Sequence, residues 1–385
     1  MKIVFVTIDY PPLSGGLTAH VKGIVDLAQQ LGHQTLVITV EPNPTGKIDG
    51  NLDADVIQLP VFKWFRDSPI INPFKMYRLL SITDSDIIHV IYPFPIGLDI
   101  TCVYGFLNHK KLVCTYIDDI IVKFPYSLVI WIYEHTFWKF CKGMINSISV
   151  STLEYGHNAV GLRDWKKGFY VIPPPIFDTE FDLNLEKKNR AREKLGLNDY
   201  DKIVLFVGSL RKRTTYKRLD LLLKAWSEYI KQNEGKKAIL LIIGDGELKS
   251  YYKTMANKLG LHEKEIIFKD FVPKELLIDN YLASDIFVLP SEDNNEAFGI
   301  VTIEAMLYGN IVIATDIPGI RGAVRKSEGC YLSLIPPKRW EPIMQELEFW
   351  MDKDLREYIL ANHRHVKKYY TNNIVIDQLV RMYSD

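Results

Sequence analysis

Cysteine is scarce in this 385-residue chain. There are four, Cys102, Cys114, Cys141 and Cys330, widely spaced, with no C-x-x-C pair and no histidine group at zinc spacing. A disulfide framework and a structural zinc are therefore poor fits. Net charge is lacking as well. Lys and Arg number 47, Asp and Glu 47, so no global field draws the protein onto nucleic acid, and no nucleic-acid partner is expected. Apolar runs fall short of the roughly 18–20 residues that a membrane span needs. The charge-free stretches Ile87–Leu98 and Phe124–Tyr133 reach about ten to twelve. The opening MKIVFVTIDYPP meets Asp9 and two prolines before a signal-peptide core could form. A cytoplasmic protein is the expectation. Glycine at 23 and proline at 19 stay near globular averages, and no short-period repeat is present. Collagenous and low-complexity chains are excluded.

What the chain does have is alternation. Lys2–Asp9 is a β-branched apolar run broken by Tyr10-Pro11-Pro12-Leu13-Ser14-Gly15-Gly16. Val21, Val25, Ala28 and Leu31 follow at helical spacing, with Gly32 where a C-cap belongs, and Gln34–Glu41 is a second strand. Strand, helix and strand in that order make a βαβ unit of a parallel sheet. Further strands are expected at Val56–Leu59, Ile87–Ile91, Lys111–Tyr116, Met144–Ser149 and Phe169–Ile172. Pro173-Pro174-Pro175 and the charged, apolar-poor stretch Asp178–Glu193 read as a linker. Alternation then resumes, with strands expected at Lys202–Val207, Ala238–Ile243, Glu265–Val272, Asp285–Leu289 and Asn310–Thr315. Leu219, Leu222, Leu223, Trp226 and Ile230 mark a helix, and Asp354–Asp385 closes the chain helically. The pattern predicts an α/β fold of two doubly wound, Rossmann-like domains, at about 100–200 residues each.

The second half carries the chemistry. In Ser291–Tyr308 (SEDNNEAFGIVTIEAMLY) a strand ends and a polar loop leads through Glu296-Ala297-Phe298-Gly299 into a helix. Open α/β sheets bind ligands at the carboxyl ends of their strands. A helix starting near Gly299 offers unpaired N–H groups and a positive dipole end to sugar hydroxyls or phosphate oxygens. Glu296 and Glu304 are just over two helical turns apart, so both can face one edge. Physics alone explains them equally well as a loop charge and a solvated helix residue.

Glu296-x7-Glu304 with Phe298-Gly299, followed by Ala305-Met306 and Ile311–Asp316, resembles the donor site of family 4 retaining glycosyltransferases, the glycosyl transferases of group 1. Ile242–Leu248, Asp285–Ser291 and Pro318-Gly319 match flanking phrases in the same order across residues 201–330. The resemblance implies the GT-B fold, two Rossmann-like domains facing a central cleft. Residues 1–175 would be the acceptor-binding domain, with a C-terminal helix of about 366–385 packing back on it, and 176–365 the donor-binding domain. Glu304 would then bind the ribose of a nucleotide sugar, and Glu296 with the backbone of Phe298, Gly299 and Ile300 would hold the transferred sugar.

Departure of a nucleoside diphosphate needs its charge neutralised. After Val207-Gly208-Ser209-Leu210 come Arg211, Lys212, Arg213, Lys217 and Arg218, a run that a solvated loop would explain too. In the family this loop gives an Arg and a Lys to the diphosphate, and Lys217 matches the Lys. Ser209 stands where the Arg is expected and Arg218 where a Gly is expected, so Arg211 or Arg213 is assigned the missing guanidinium.

Gly15-Gly16 resembles the family's glycine loop beside the diphosphate and acceptor, with Gly16 on the donor side and Gly15 on the acceptor side, although a tight turn explains the pair equally well. It is not G-x-G-x-x-G, although Glu41 ends the second strand as a ribose-binding acid of a nicotinamide site would. The family often has His-Asp where this chain reads Ile117-Asp118-Asp119, leaving Asp118 as an acceptor contact. His89 is a further acceptor-side candidate or a satisfied structural histidine. Asp84-Ser85-Asp86 and Asp53-Ala54-Asp55 formally match a metal-holding Asp-x-Asp, but each precedes a strand, on the wrong side of the sheet, so no metal ligand is assigned. Trp64-Phe65-Arg66 and Phe124–Lys142 set aromatics beside basic residues. A core-facing helix is the expectation there, with peripheral contact at the cytoplasmic membrane face left open.

These readings converge on a retaining, metal-independent hexosyltransferase without cofactor. It would move sugar from a UDP- or GDP-sugar to a hydroxyl of a glycan or lipid-linked acceptor, in glycan or polysaccharide assembly. A sugar-nucleotide-binding subunit without turnover and a dinucleotide-dependent oxidoreductase are the alternatives, with a 2-epimerase or phosphorylase a further one.

Overall fold

The computed structural model describes residues 1–11, 13, 15–42, 55–65, 68–122, 124–176, 181–324 and 330–385. In chain order its strands are β1 (Lys2–Val6), β2 (Gln34–Val40), β3 (Val56–Leu59), β4 (Val61–Phe65), β5 (Ser68–Ile71), β6 (Ile87–Tyr92), β7 (Lys111–Tyr116), β8 (Ser147–Val150), β9 (Tyr170–Val171), β10 (Lys202–Val207), β11 (Ala238–Ile243), β12 (Ile266–Lys269), β13 (Ile286–Leu289), β14 (Ile311–Thr315) and β15 (Leu332–Ile335). Two compact units result, Met1–Phe177 with Tyr370–Asp385, and Asp178–Tyr369.

The first unit is built on a parallel sheet in the order β3-β2-β1-β6-β7-β8-β9. In β1, Ile3 pairs with Thr35 on one side and Ile87 on the other. Central strands with neighbours on both sides and helices on both faces must be apolar throughout, which is why β6 is buried along its whole length. Helix Gly16–Gln30 buries Val21, Ile24, Val25 and Ala28 in a cluster that also takes Val375, Leu379 and Met382 of the final helix, Asn372–Ser384. Each such side chain contributes about 1.5–3 kcal/mol. That, with the Lys111 ammonium donating to the Tyr383 carbonyl at 2.9 Å, holds the chain's last helix to its first unit.

The second unit has the order β12-β11-β10-β13-β14-β15, which is the 3-2-1-4-5-6 sequence of a Rossmann sheet. The expected helix is Leu219–Gln232, with Leu222, Leu223 and Trp226 fully buried.

Several expectations are corrected. Much of the supposed linker is helix Leu185–Leu195, capped at its start by the Asn184 side chain and at its end by Gly196 in the left-handed region. Its polar composition misleads because its key contacts are polar. The buried Lys188 ammonium donates to the Ser284 and Gly309 carbonyls, and Arg192 pairs with Asp285 at 2.6 Å. The strand expected from Met144 starts at Ser147, because Lys139–Met144 is helical. The hairpin β4–β5 was not foreseen, since its connecting residues Arg66 and Asp67 carry no Asn-Gly or Asp-Gly signal. The four-residue edge strand β15 was missed as well. Finally, Phe124–Lys142 is not core-facing. Helix Tyr126–Tyr133 buries none of its residues, and Trp138, Cys141 and Lys142 are the buried residues of the stretch.

Candidate active site

The loops leaving the carboxyl ends of β10, β11, β13 and β14 converge on one edge of the second sheet, and glycines set how closely. A Cβ on Gly244 would lie 1.9 Å from the Gly208 carbonyl oxygen, and one on Gly319 would lie 2.1 Å from that of Glu296. Backbone thus presses on backbone at both contacts, which a side chain at either position would prevent. A Cβ on Gly208 would meet the Lys217 stem at 3.0 Å, so the bare glycine gives that lysine its path.

Along this path the Lys217 ammonium reaches the Glu296 carboxylate at 2.5 Å, and the Ser291 hydroxyl donates to the same oxygen at 3.1 Å. The lysine and glutamate side chains are 14% and 11% exposed, so the pair is almost shut off from water. Burial pulls the Lys217 pKa down, but the Glu296 carboxylate and the bond it accepts more than reverse this, and the ammonium stays charged. Ser291, which closes β13's apolar run, was not selected from the sequence; its place in Leu289-Pro290-Ser291 was the available signal.

Arg218 occupies the left-handed region, φ 50° and ψ 44°, which explains why a glycine is expected there. The strain is offset by anchoring. Its guanidinium pairs in forked fashion with Asp220 at 2.9 and 2.8 Å and donates to Glu292 at 2.6 Å. Arg218 is therefore committed to loop structure and ties the loop after β10 to the loop after β13. The Thr214 hydroxyl donates to the Ser209 carbonyl at 2.7 Å, and the Lys212 N–H donates to Glu247 at 2.9 Å, so this loop is ordered by its own bonds. Arg211 is half-buried and Arg213 exposed.

Helix Ile300–Leu307 begins where the sequence placed it, with Gly299 at φ 69° as its N-cap. Phe298 is buried and Ile300 half-buried. Glu304 accepts from the Tyr281 hydroxyl at 3.1 Å. Burial pushes the Glu304 carboxyl up, while the Tyr281 bond pulls the other way. Glu296 and Glu304 thus have separate partners, and it is Lys217 and Glu296 that are in direct contact. Tyr281, from the helix before β13, had no signal in the sequence.

In the first unit, Gly15 is exposed with φ 156° and caps the helix that Gly16 begins. His89 is corrected. It lies inside β6 rather than at its end, fully buried, with Nδ1 on the Tyr383 hydroxyl at 2.8 Å and Nε2 on the Thr115 hydroxyl at 2.7 Å. Both ring nitrogens are used by the fold, so it presents nothing to an acceptor. Asp118 is half-buried. Its neighbour Asp119 is buried, accepting from the Tyr116 hydroxyl and the N–H groups of Val160 and Gly161. Glu41 accepts from the Val61 N–H at 3.3 Å. Asp86 accepts from the Lys2 N–H at the amino end of β1, and Asp84 pairs with Lys110 at 3.4 Å. Asp53, Ala54 and Arg66 lie outside the described residues.

Comparison with known proteins gives a consistent picture. Residues 187–369 match the family model described as Glycosyl transferases group 1. The chain is 27% identical to an uncharacterized glycosyltransferase of Methanocaldococcus jannaschii, over 97% of this chain and 96% of that protein. It is 34% identical to a D-inositol 3-phosphate glycosyltransferase of Nocardia farcinica over 40% of this chain and 34% of the other. Among solved structures, HepE of Anabaena in complex with UDP matches at a TM-score of 0.75 and 17% identity, over 100% of both chains. At that identity the likeness establishes the fold, GT-B with two Rossmann-like domains.

Proposed function

We propose that this chain, whose residues 187–369 match glycosyl transferases group 1 and whose fold is GT-B, is a glycosyltransferase that carries out a retaining, metal-independent hexosyl transfer from a nucleoside diphosphate sugar. The carrying observation is the enclosed Lys217–Glu296 pair at the carboxyl edge of the sheet. Lys217, with Arg211 or Arg213, stabilises the diphosphate as the bond from its oxygen to the anomeric carbon breaks. Glu296, paired with the Lys217 ammonium, accepts hydrogen bonds from sugar hydroxyls. The N–H groups at the start of helix Ile300–Leu307 face the same edge, and Glu304 takes the ribose hydroxyls. An acceptor hydroxyl, on a glycan or lipid-linked saccharide, forms the new bond to the anomeric carbon and passes its proton to the departing diphosphate oxygen. Gly15, Gly16 and Asp118 belong to the diphosphate and acceptor side. Known relatives bear on the donor class: HepE was determined with UDP-glucose, and starch synthase IV of Arabidopsis thaliana with ADP. We place the activity in the cytoplasm.

One observation favours a second reading, a donor-binding subunit without turnover: Ser209 stands where the family's arginine is expected, its carbonyl held by Thr214.

Melting the protein with UDP, GDP, ADP and their sugar conjugates, with and without EDTA, tests the main reading. Ligand at 100 times its dissociation constant adds about 2.7 kcal/mol. A shift from one nucleotide class, unaffected by EDTA and lost in Glu304→Ala, supports the donor site. No shift from any of them refutes it. A shift without nucleotide release across supplied acceptors selects the binding subunit.

A further inference from the structure

We infer that one face of the first unit docks on an anionic lipid bilayer. The inference stands on that unit's surface and does not depend on the donor-site reading. Three helical elements pack side by side. Helix Pro73–Ile82 lies on helix Gly97–Leu107, where Tyr77 and Tyr104 meet edge to face at 5.3 Å. Helix Gly97–Leu107 lies in turn against the segment Tyr126–Met144, whose Tyr133 hydroxyl donates to Asp99 at 3.1 Å. The outer surface of this layer is unusually apolar. Phe74 is 83% exposed, Phe106 60%, Trp131 55%, Phe137 62% and Phe140 63%. Aromatic side chains exposed on that scale, Trp131 among them on a helix that buries nothing, are a contact surface awaiting a partner.

The charges say which partner. Helix Pro73–Ile82 carries exposed Lys75 and Arg78 and no acid. Segment Tyr126–Met144 exposes Lys139, and its one acid, Glu134, is half-buried, with its pKa raised first by that burial. The sole acid of helix Gly97–Leu107, Asp99, is spent inside the layer on the Ile96 N–H, the Tyr133 hydroxyl and the Cys141 thiol. The acids just beyond the first helix, Asp84 and Asp86, are exposed, Asp84 pairing with Lys110 and Asp86 accepting from the Lys2 N–H. The layer thus keeps its two carboxylates half-buried and exposes Lys75, Arg78 and Lys139 among aromatics, while Lys142 turns inward onto the Gly161 carbonyl. Lysine is depleted in the cores of protein interfaces, whereas aromatics interspersed with Lys and Arg suit the headgroup zone of a bilayer. Anionic headgroups complement the cations, and the rings reach the acyl boundary. Among the described residues no helix is long and apolar enough to cross a membrane, so the contact is a surface one.

The full chain should co-float with phosphatidylcholine vesicles containing phosphatidylglycerol, and far less with pure phosphatidylcholine or at high salt. Each cation near an anionic surface is worth roughly fivefold in partitioning, so Lys75→Gln with Arg78→Gln should weaken binding by about 25-fold. Trp131→Ser with Phe137→Ser should weaken it at least as much, whereas Phe349→Ser, exposed on the second unit, should not. All five positions are on the surface, and unchanged melting temperatures would confirm folding. Three results would each overturn the inference. One is no vesicle binding, and another is binding indifferent to these substitutions. The third is a concentration-dependent dimer that Trp131→Ser abolishes without any lipid binding, which would identify a second copy as the occupant.

Discussion

The Lys217 ammonium stands 2.5 Å from the Glu296 carboxylate although 79 positions separate them in the chain. The pair joins the loop after β10 to the loop after β13, and both side chains are nearly enclosed. Removing one partner leaves a buried charge uncompensated, at about 3–5 kcal/mol. Lys217→Ala or Glu296→Ala should therefore lower both stability and turnover, the latter by about 100-fold or more. Replacing both, Lys217→Met with Glu296→Leu, should restore much of the stability by removing the orphaned charge, and none of the turnover. Urea unfolding beside nucleotide-release assays separates the two effects; wild-type rates in the single variants would sink the assignment.

Arg218 gives a second test. In the left-handed region a side chain costs about 1–2 kcal/mol relative to glycine, and Arg218 offsets this through Asp220 and Glu292. Arg218→Ala keeps the strain and loses the anchors. Arg218→Gly loses the anchors and relieves the strain. The alanine variant should be the less stable of the two by about 1 kcal/mol, read from urea midpoints. Equal midpoints would mean that the backbone relaxes elsewhere.

Gly319 sits where an added methyl would strike the Glu296 and Ala297 backbone. Gly319→Ala should cost about 1–3 kcal/mol and, by displacing Glu296, weaken nucleotide-induced stabilisation. Gly143, whose Cβ would enter open space within helix Lys139–Met144, is the matched comparison. Gly143→Ala should be neutral or stabilising, by up to about 1 kcal/mol. Calorimetric melting of the two variants checks both.

The first unit should lose stability in mild acid. Burial lowers His20 to about 4, and burial together with His20 lowers His89 to about 3, both from 6.5. Folded histidine stays neutral where unfolded histidine takes a proton, so stability is full above about pH 6.5 and declines as pH falls towards the folded values. Near pH 5 each histidine should account for about 2 kcal/mol of the loss. His89→Gln should flatten the dependence between pH 7 and 5 by close to one proton, and an unchanged slope would contradict the assignment.

The periodicities that make strands and helices are local, so most of the architecture was legible in the sequence. Lys111–Tyr116, Lys202–Val207 and Ala238–Ile243 form strands with the expected limits. The loop around Glu296 was legible for the same reason: a strand, a polar loop with Gly299, and a helix follow one another without interruption. What escaped depended on partners distant in sequence. Helix Leu185–Leu195 looked like a linker because the groups its Lys188 and Arg192 bind, at Ser284, Gly309 and Asp285, lie about a hundred residues on. His89 looked like a candidate for chemistry because Tyr383, which bonds its ring, comes 294 residues later. The aromatic stretch Phe124–Lys142 could face a core or water, since apolar periodicity marks a contact face without saying what touches it. Composition and spacing by themselves determined the fold class and most of the order of elements, and the resemblance to family 4 glycosyltransferases is what singled out Glu296, Glu304 and Lys217. Tertiary structure alone decided which buried groups are satisfied by the fold and which apolar faces remain exposed, because hydrogen bonding and burial are properties of neighbours in space.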